Sequence, residues 1–174
     1  RSNYYDQVKN TGKFGLQKEK QSSLFGRLGA LMSGNTPKYD NTNTQVCMIG
    51  GQFCAMTETP HHTTFDPITL ESRQGFDFED KLDTHYACAH PHLDKETGDM
   101  YNYAIQFGNT STYYIYRIPA GTKERVPFAK INVGYPSYMH SFAMTENYVI
   151  LTEVPFRINP LDLLRCTIER LPCT

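Results

Sequence analysis

From Asn43 onward the sequence breaks into short apolar and aromatic runs parted by turn residues, a pattern that leaves little room for helices. The runs are TQVCMI, QFCAMTE, MYNYAIQFG, TYYIYRI, AKINVG and YVILTEV, with Gly, Asn, Asp and Pro between them. A recurrence of roughly 8 to 15 residues with turn signals in between is the mark of a β-sandwich, barrel or propeller. Tyr101, Tyr103, Tyr113, Tyr114, Tyr116, Tyr148, Val149 and Ile150 fill the runs, as expected of residues that suit a pleated, half-buried surface. DKETGDM supplies a hairpin turn, with Gly98 placed to take a positive φ. The fold class is all-β. No clear internal repeat is present, although strand groups recur at roughly the 40 to 50 residues of a propeller blade.

Residues 1–42 form a lead-in segment to the β-rich region 43–174. Its first part is polar and rich in Lys, Gln and Ser. Within SLFGRLGALMSG, Leu24, Phe25, Leu28, Leu31 and Met32 fall at spacings of three and four, with Ser22 or Ser23 as a cap and Gly34 as a stop. This spacing predicts a short amphipathic helical segment. It has two readings, a helix packed on the body of the protein or one dipping into a membrane surface with Arg27 and Lys38 near the headgroups.

The 174 residues, 39% of them hydrophobic, suffice for one domain or a piece of a larger one. The chain opens on Arg1 and stops in RCTIERLPCT without a turn or cap, which reads as a fragment. A net charge of −1 gives no electrostatic reason to expect a nucleic-acid partner. No apolar stretch approaches the roughly 20 residues of a spanning helix. The five cysteines (47, 54, 88, 166 and 173) are odd in number and without CxxC pairs, which fits a reducing, cytoplasmic setting better than a disulfide framework or a structural zinc site.

Six histidines stand at 61, 62, 85, 90, 92 and 140. Taken singly, each is an ordinary exposed or hydrogen-bonded imidazole. Two contexts differ: ACAHPH places His90 after a run of small residues with Pro91 fixing the backbone beyond it, and SYMHSF places His140 at a strand start about 50 residues on. A metal drawing one imidazole from each of several strands would leave such a trace. An HExxH pair is absent, which argues against hydrolytic zinc.

Three ordered stretches, AMTETPHHTTFDPITLES, ACAHPHLDKETGDMYNYAIQFG and PSYMHSFAMTENYVILTEVPFRIN, resemble the metazoan branch of the carotenoid cleavage oxygenases, the family of the β-carotene oxygenases and the retinoid isomerohydrolase. The similarity runs from about Ser23 to Ile158. It implies a fragment of a seven-bladed β-propeller whose axial Fe(II) is held by four histidines. His90 matches the first ligand and His140 the second; the other two would lie beyond Thr174. His92 matches a nearby position that is not a ligand, and His61, His62 and His85 match no iron position. Glu58, in MTETP, matches a glutamate that accepts a hydrogen bond from a ligand imidazole. A carboxylate there fixes the tautomer and raises the basicity of the metal-facing nitrogen, and burial after FCAM would demand such a partner. Thr57 matches a substrate-cavity position, and Phe53 is either a cavity or a core aromatic.

The resemblance implies an oxygenase that uses O2 to cleave a conjugated double bond of a carotenoid, giving aldehyde or ketone products. Two alternatives share the ligand motifs: isomerohydrolysis of a retinyl ester, and a carotenoid-binding propeller without catalysis. An apolar carotenoid or retinoid substrate also favours peripheral contact with an intracellular membrane through Phe25, Leu28 and Leu31. No cysteine lies in that stretch to carry an acyl anchor.

Overall fold

The computed structural model of the protein describes residues 42–160. The helical segment expected at 24–32 lies outside these residues. Among the described residues there are eleven strands in three antiparallel sheets. The first sheet is a meander of β1 (Gln45–Ile49), β2 (Gln52–Met56), β3 (His62–Phe65) and β4 (Ser72–Phe76). The second runs in the order β5 (Tyr86–Ala87), β7 (Met100–Gln106), β8 (Ser111–Ile118) and β9 (Val126–Val133), with β6 (His92–Leu93) also paired to β7. A two-stranded sheet of β10 (Ala143–Met144) and β11 (Val149–Ile150) follows.

Local chemistry explains the joints. Gly50 and Gly51 both take positive φ, 54° and 73°, as a two-residue hairpin loop between β1 and β2 requires. Gly98 adopts φ 78° in the turn into β7, as its sequence context predicts. β3 and β4 were not expected: HTTF and SRQGF are short and largely polar, and only their pairing with β2 and with each other makes them strands. The reverse holds for YVILTEV, where β11 covers two residues only. Beyond it the backbone turns to a side chain: Ser137 Oγ donates to the Val154 carbonyl at 2.9 Å and accepts from the Val154 amide at 3.0 Å.

The central strands β7 and β8 of the second sheet are buried on both faces. On one side Ala87, Met100, Ala104, Tyr116 and Ile118 pack with Ile49, Cys54 and Phe76 of the first sheet. On the other, Tyr86, Tyr103, Ile105, Tyr113 and Ile115 pack with Met139 and Phe142, which precede β10. Ile115 and Tyr116 are both buried on opposite faces by the two-residue alternation of a strand, and the register shift beside them leaves Phe128 of β9 as the extra residue of a β-bulge. The connection from the first sheet to the second is fastened by Arg125, whose Nη2 and Nε donate to Asp80 at 2.7 and 2.9 Å. No helix among the described residues is long and apolar enough to cross a membrane.

Candidate metal centre

Three residues expected to act together arrive from three separate sheets. Glu58 follows β2, His90 follows β5, and His140 precedes β10. Their side chains meet: His140 Nδ1 lies 2.7 Å from Glu58 Oε1, and His140 Nε2 lies 2.9 Å from His90 Nε2. The carboxylate can only accept, so the proton of a neutral His140 sits on Nδ1 and leaves a bare lone pair on Nε2. That lone pair and His90 Nε2 face the same small volume.

The spacing suits a shared cation. Imidazole nitrogens bind a metal such as zinc at about 2.0–2.1 Å, so two of them in adjacent positions on one ion stand about 3 Å apart. Two neutral nitrogen donors with a carboxylate behind one of them form a donor set suited to a first-row transition metal. Among the described residues no group of three or more His, Cys, Asp or Glu side chains converges on such a point; the pair is what this stretch of chain offers.

Residues that the sequence reading did not single out build the surroundings. Tyr138 OH lies 2.8 and 3.0 Å from the two Glu58 oxygens and 3.2 Å from His140 Nδ1. Burial, then the hydrogen bond and charge of Glu58, push the Tyr138 phenol up to about 12, so it stays protonated and donates to the carboxylate. Tyr86 OH reaches Glu58 Oε1 at 3.2 Å and the Met139 carbonyl at 2.8 Å, and Tyr103 OH donates to that same carbonyl. The thiol of fully buried Cys88 is pushed up to about 11, chiefly by burial, and points at the His140 carbonyl from 3.2 Å. Alternation in SYMH, which sets Tyr138 and His140 two residues apart, was the signal that could have found Tyr138.

The remaining candidates separate cleanly. His92 Nε2 is 2.9 Å from the Phe142 carbonyl and its ring meets Phe142 edge-on. His85 Nδ1 accepts from the Phe107 amide at 2.9 Å while its ring stacks on Phe107. His62 is buried against Phe76 and Phe78, and His61 is half-buried beside it. Thr57 is half-buried at the strand end next to Glu58, outside the hydrogen-bonded group. Phe53 sits on the outward face of the first sheet, its ring 6.0 Å from Phe65.

The family model for retinal pigment epithelial membrane protein (RPE65) matches residues 3–172. The chain belongs to this family, the carotenoid oxygenases. It is 31% identical over 167 residues to human beta,beta-carotene 15,15'-dioxygenase, covering 86% of this chain and 30% of the relative. Against the mitochondrial carotenoid-cleaving dioxygenase of Pongo abelii it is 34% identical over 131 residues, 69% of this chain and 23% of the relative. The chain thus spans about 30% or less of the length of these curated relatives. Among solved structures, Pseudomonas brassicacearum lignostilbene dioxygenase superposes with a TM-score of 0.64 at 22% identity, over 79% of this chain and 28% of that one. A mutant of the Synechocystis apocarotenoid oxygenase gives 0.61 at 16%, over 86% and 32%. The fold is therefore part of a carotenoid-oxygenase propeller. Its first two sheets have the four-strand meander path of propeller blades.

Proposed function

We propose that the full-length carotenoid oxygenase to which these residues contribute is a non-haem Fe(II) dioxygenase that cleaves a conjugated double bond of a carotenoid with O2, releasing aldehyde or ketone products. The observation that carries this reading is the His90–His140 pair, with Nε2 atoms 2.9 Å apart and Glu58 on the far nitrogen of one ring. The names of the relatives, which are carotene and carotenoid-cleaving dioxygenases, supply the substrate class.

His90 and His140 would hold the iron through their Nε2 atoms. Ferrous iron on neutral imidazoles supplies an open, redox-active centre for O2 chemistry beside an electron-rich polyene. Glu58 holds the His140 proton on Nδ1, keeping Nε2 free to ligate, and Tyr138 holds the carboxylate in that orientation. Thr57 would line the substrate cavity beside them. An apolar substrate also supports peripheral contact with an intracellular membrane through Phe25, Leu28 and Leu31. Unchanged liposome binding after these three are replaced by Ser in the full-length protein would remove that contact from the reading.

The deciding experiment loads the full-length protein with Fe(II) and incubates it with β-carotene in air and in the absence of O2. Oxygen-dependent formation of retinal or a longer apocarotenal is the expected result, and product length identifies the bond cut. An iron-replete protein that leaves β-carotene intact and converts a retinyl ester to an isomerised retinol would replace this reading with isomerohydrolysis. One that binds carotenoid and converts neither substrate would replace it with a binding role.

A further inference from the structure

The separation of His90 from His140 is not set by strand pairing. His90 lies between β5 and β6 of the second sheet, His140 precedes the two-stranded sheet, and no ladder joins these sheets. Side chains bridge the gap instead: Tyr103 reaches the Met139 carbonyl and His92 the Phe142 carbonyl, and two more come from one short segment next to His90. Cys88 Sγ accepts from the His90 amide at 3.3 Å and donates to the His140 carbonyl at 3.2 Å. Tyr86 OH reaches the Met139 carbonyl and Glu58 Oε1. The segment is itself pinned: the Cys88 amide donates to the Tyr103 carbonyl at 3.1 Å, and Asn102 Nδ2 donates to the Cys88 carbonyl at 2.7 Å. Both side chains are buried, at 7% exposure for Tyr86 and 0% for Cys88.

We propose that Tyr86 and Cys88 are positioning residues that clamp the His140 segment against the His90 segment and so set the ligand spacing and the aim of Glu58. This rests on the reading of His90 and His140 as metal ligands. Its physical basis is the narrow tolerance of a metal site, about 0.5 Å in ligand position. A spacing defined by two sheets that share no ladder needs a dedicated tie. Cys88 ties main chain to main chain at both ligands, and Tyr86 shares its single hydroxyl proton between the Met139 carbonyl beside the second ligand and the carboxylate that orients it, 2.8 and 3.2 Å away.

The test uses the full-length protein with Co(II) as a spectroscopic probe and chelator competition for affinity. Tyr86→Phe and Cys88→Val are expected to weaken Co(II) binding roughly tenfold or more and to shift its visible absorption bands, while the metal-free proteins keep the wild-type circular dichroism spectrum. Cys88→Ser, which keeps a donor and an acceptor, is expected to restore affinity and spectrum. Wild-type affinity and spectrum in both Tyr86→Phe and Cys88→Val, alongside weakened binding in His90→Ala and His140→Ala, would overturn the clamp and leave the ligand reading standing. Unchanged Co(II) binding in the two histidine variants would overturn the ligand reading and the clamp with it. If Cys88→Val does not fold, Tyr86→Phe decides, since it deletes a single hydroxyl.

Discussion

Glu58 and His140 are 82 residues apart in sequence and 2.7 Å apart in space, carboxylate oxygen to Nδ1. Glu58 comes from the end of one sheet and His140 from the start of another. The bond is the only polar contact between Glu58 and a ligand imidazole among the described residues, and it dictates which ring nitrogen is free. Glu58→Gln keeps the shape and removes the charge. In the full-length protein it is expected to lower Fe(II) affinity by roughly 10- to 100-fold. Chelator titration measures this directly, and retention of full affinity would show that an uncharged acceptor at this position serves as well as the carboxylate.

Asp80 and Arg125 form a buried ion pair, their side chains 8% and 5% exposed. Burial alone would raise the Asp80 carboxyl, but hydrogen bonds from the Arg125 side chain and from the Arg125 and Leu82 amides, together with the guanidinium charge, outweigh it and hold the pKa below the usual 3.8. Asp80→Asn leaves a buried guanidinium without its counter-charge and is expected to cost about 3–5 kcal/mol, read as a drop in denaturant midpoint. Because the folded pKa is depressed, the pair's contribution is complete above pH 3.8 and is lost only as pH falls through the lower folded value.

His62 should leave an acid signature. Burial pushes its ring down from 6.5 to about 4, and its buried Nδ1 has no hydrogen-bond partner. The fold therefore holds the ring neutral: stability is complete above pH 6.5 and declines towards pH 4 as the unfolded state takes up a proton that the folded state refuses. The slope from this one residue is at most about 1.4 kcal/mol per pH unit. His62→Phe, which preserves the packing on Phe78, is expected to flatten the stability profile across that window. Parallel profiles for the two proteins would assign the acid sensitivity elsewhere.

Leu70 is the one non-glycine at positive φ among the described residues, at 58°. Its amide closes a turn on the Asp66 carbonyl at 2.8 Å, and its side chain is exposed. A left-handed conformation costs an L-residue about 1–2 kcal/mol, against the roughly 0.5–1 kcal/mol of extra chain entropy that glycine loses on folding. Leu70→Gly is thus expected to stabilise the full-length protein by roughly 0.5–1 kcal/mol. A lower melting temperature would show instead that the side chain is covered in the full-length protein.

The strands that carry the core were legible because Tyr, Ile and Val announce them: MYNYAIQ and STYYIYRI became β7 and β8. β3 and β4 escaped because a strand held by its neighbours need not have β-forming residues of its own. YVILTEV promised more than β11 delivers, since Ser137 competes for the backbone that a ladder would have used. The ligand candidates His90 and His140, with Glu58, came from ordered motifs, and the structure brings all three together. Tyr86 and Cys88 could not be found that way, because their partners across the gap lie 52 or 53 residues away, or 28 in the case of Glu58, and neither residue type signals a tie between main chains.

The order in which the three meeting residues leave the ribosome follows from the same separations. Glu58 emerges first and His90 next; 50 residues then pass before His140 appears. At about 5–20 residues per second, that interval is roughly 3 to 10 s. For those seconds the nascent chain displays a carboxylate and an imidazole whose common neighbour has yet to emerge. The strands of the first two sheets all precede His140 in sequence, so the pair of rings is the last of these contacts that the growing chain can make.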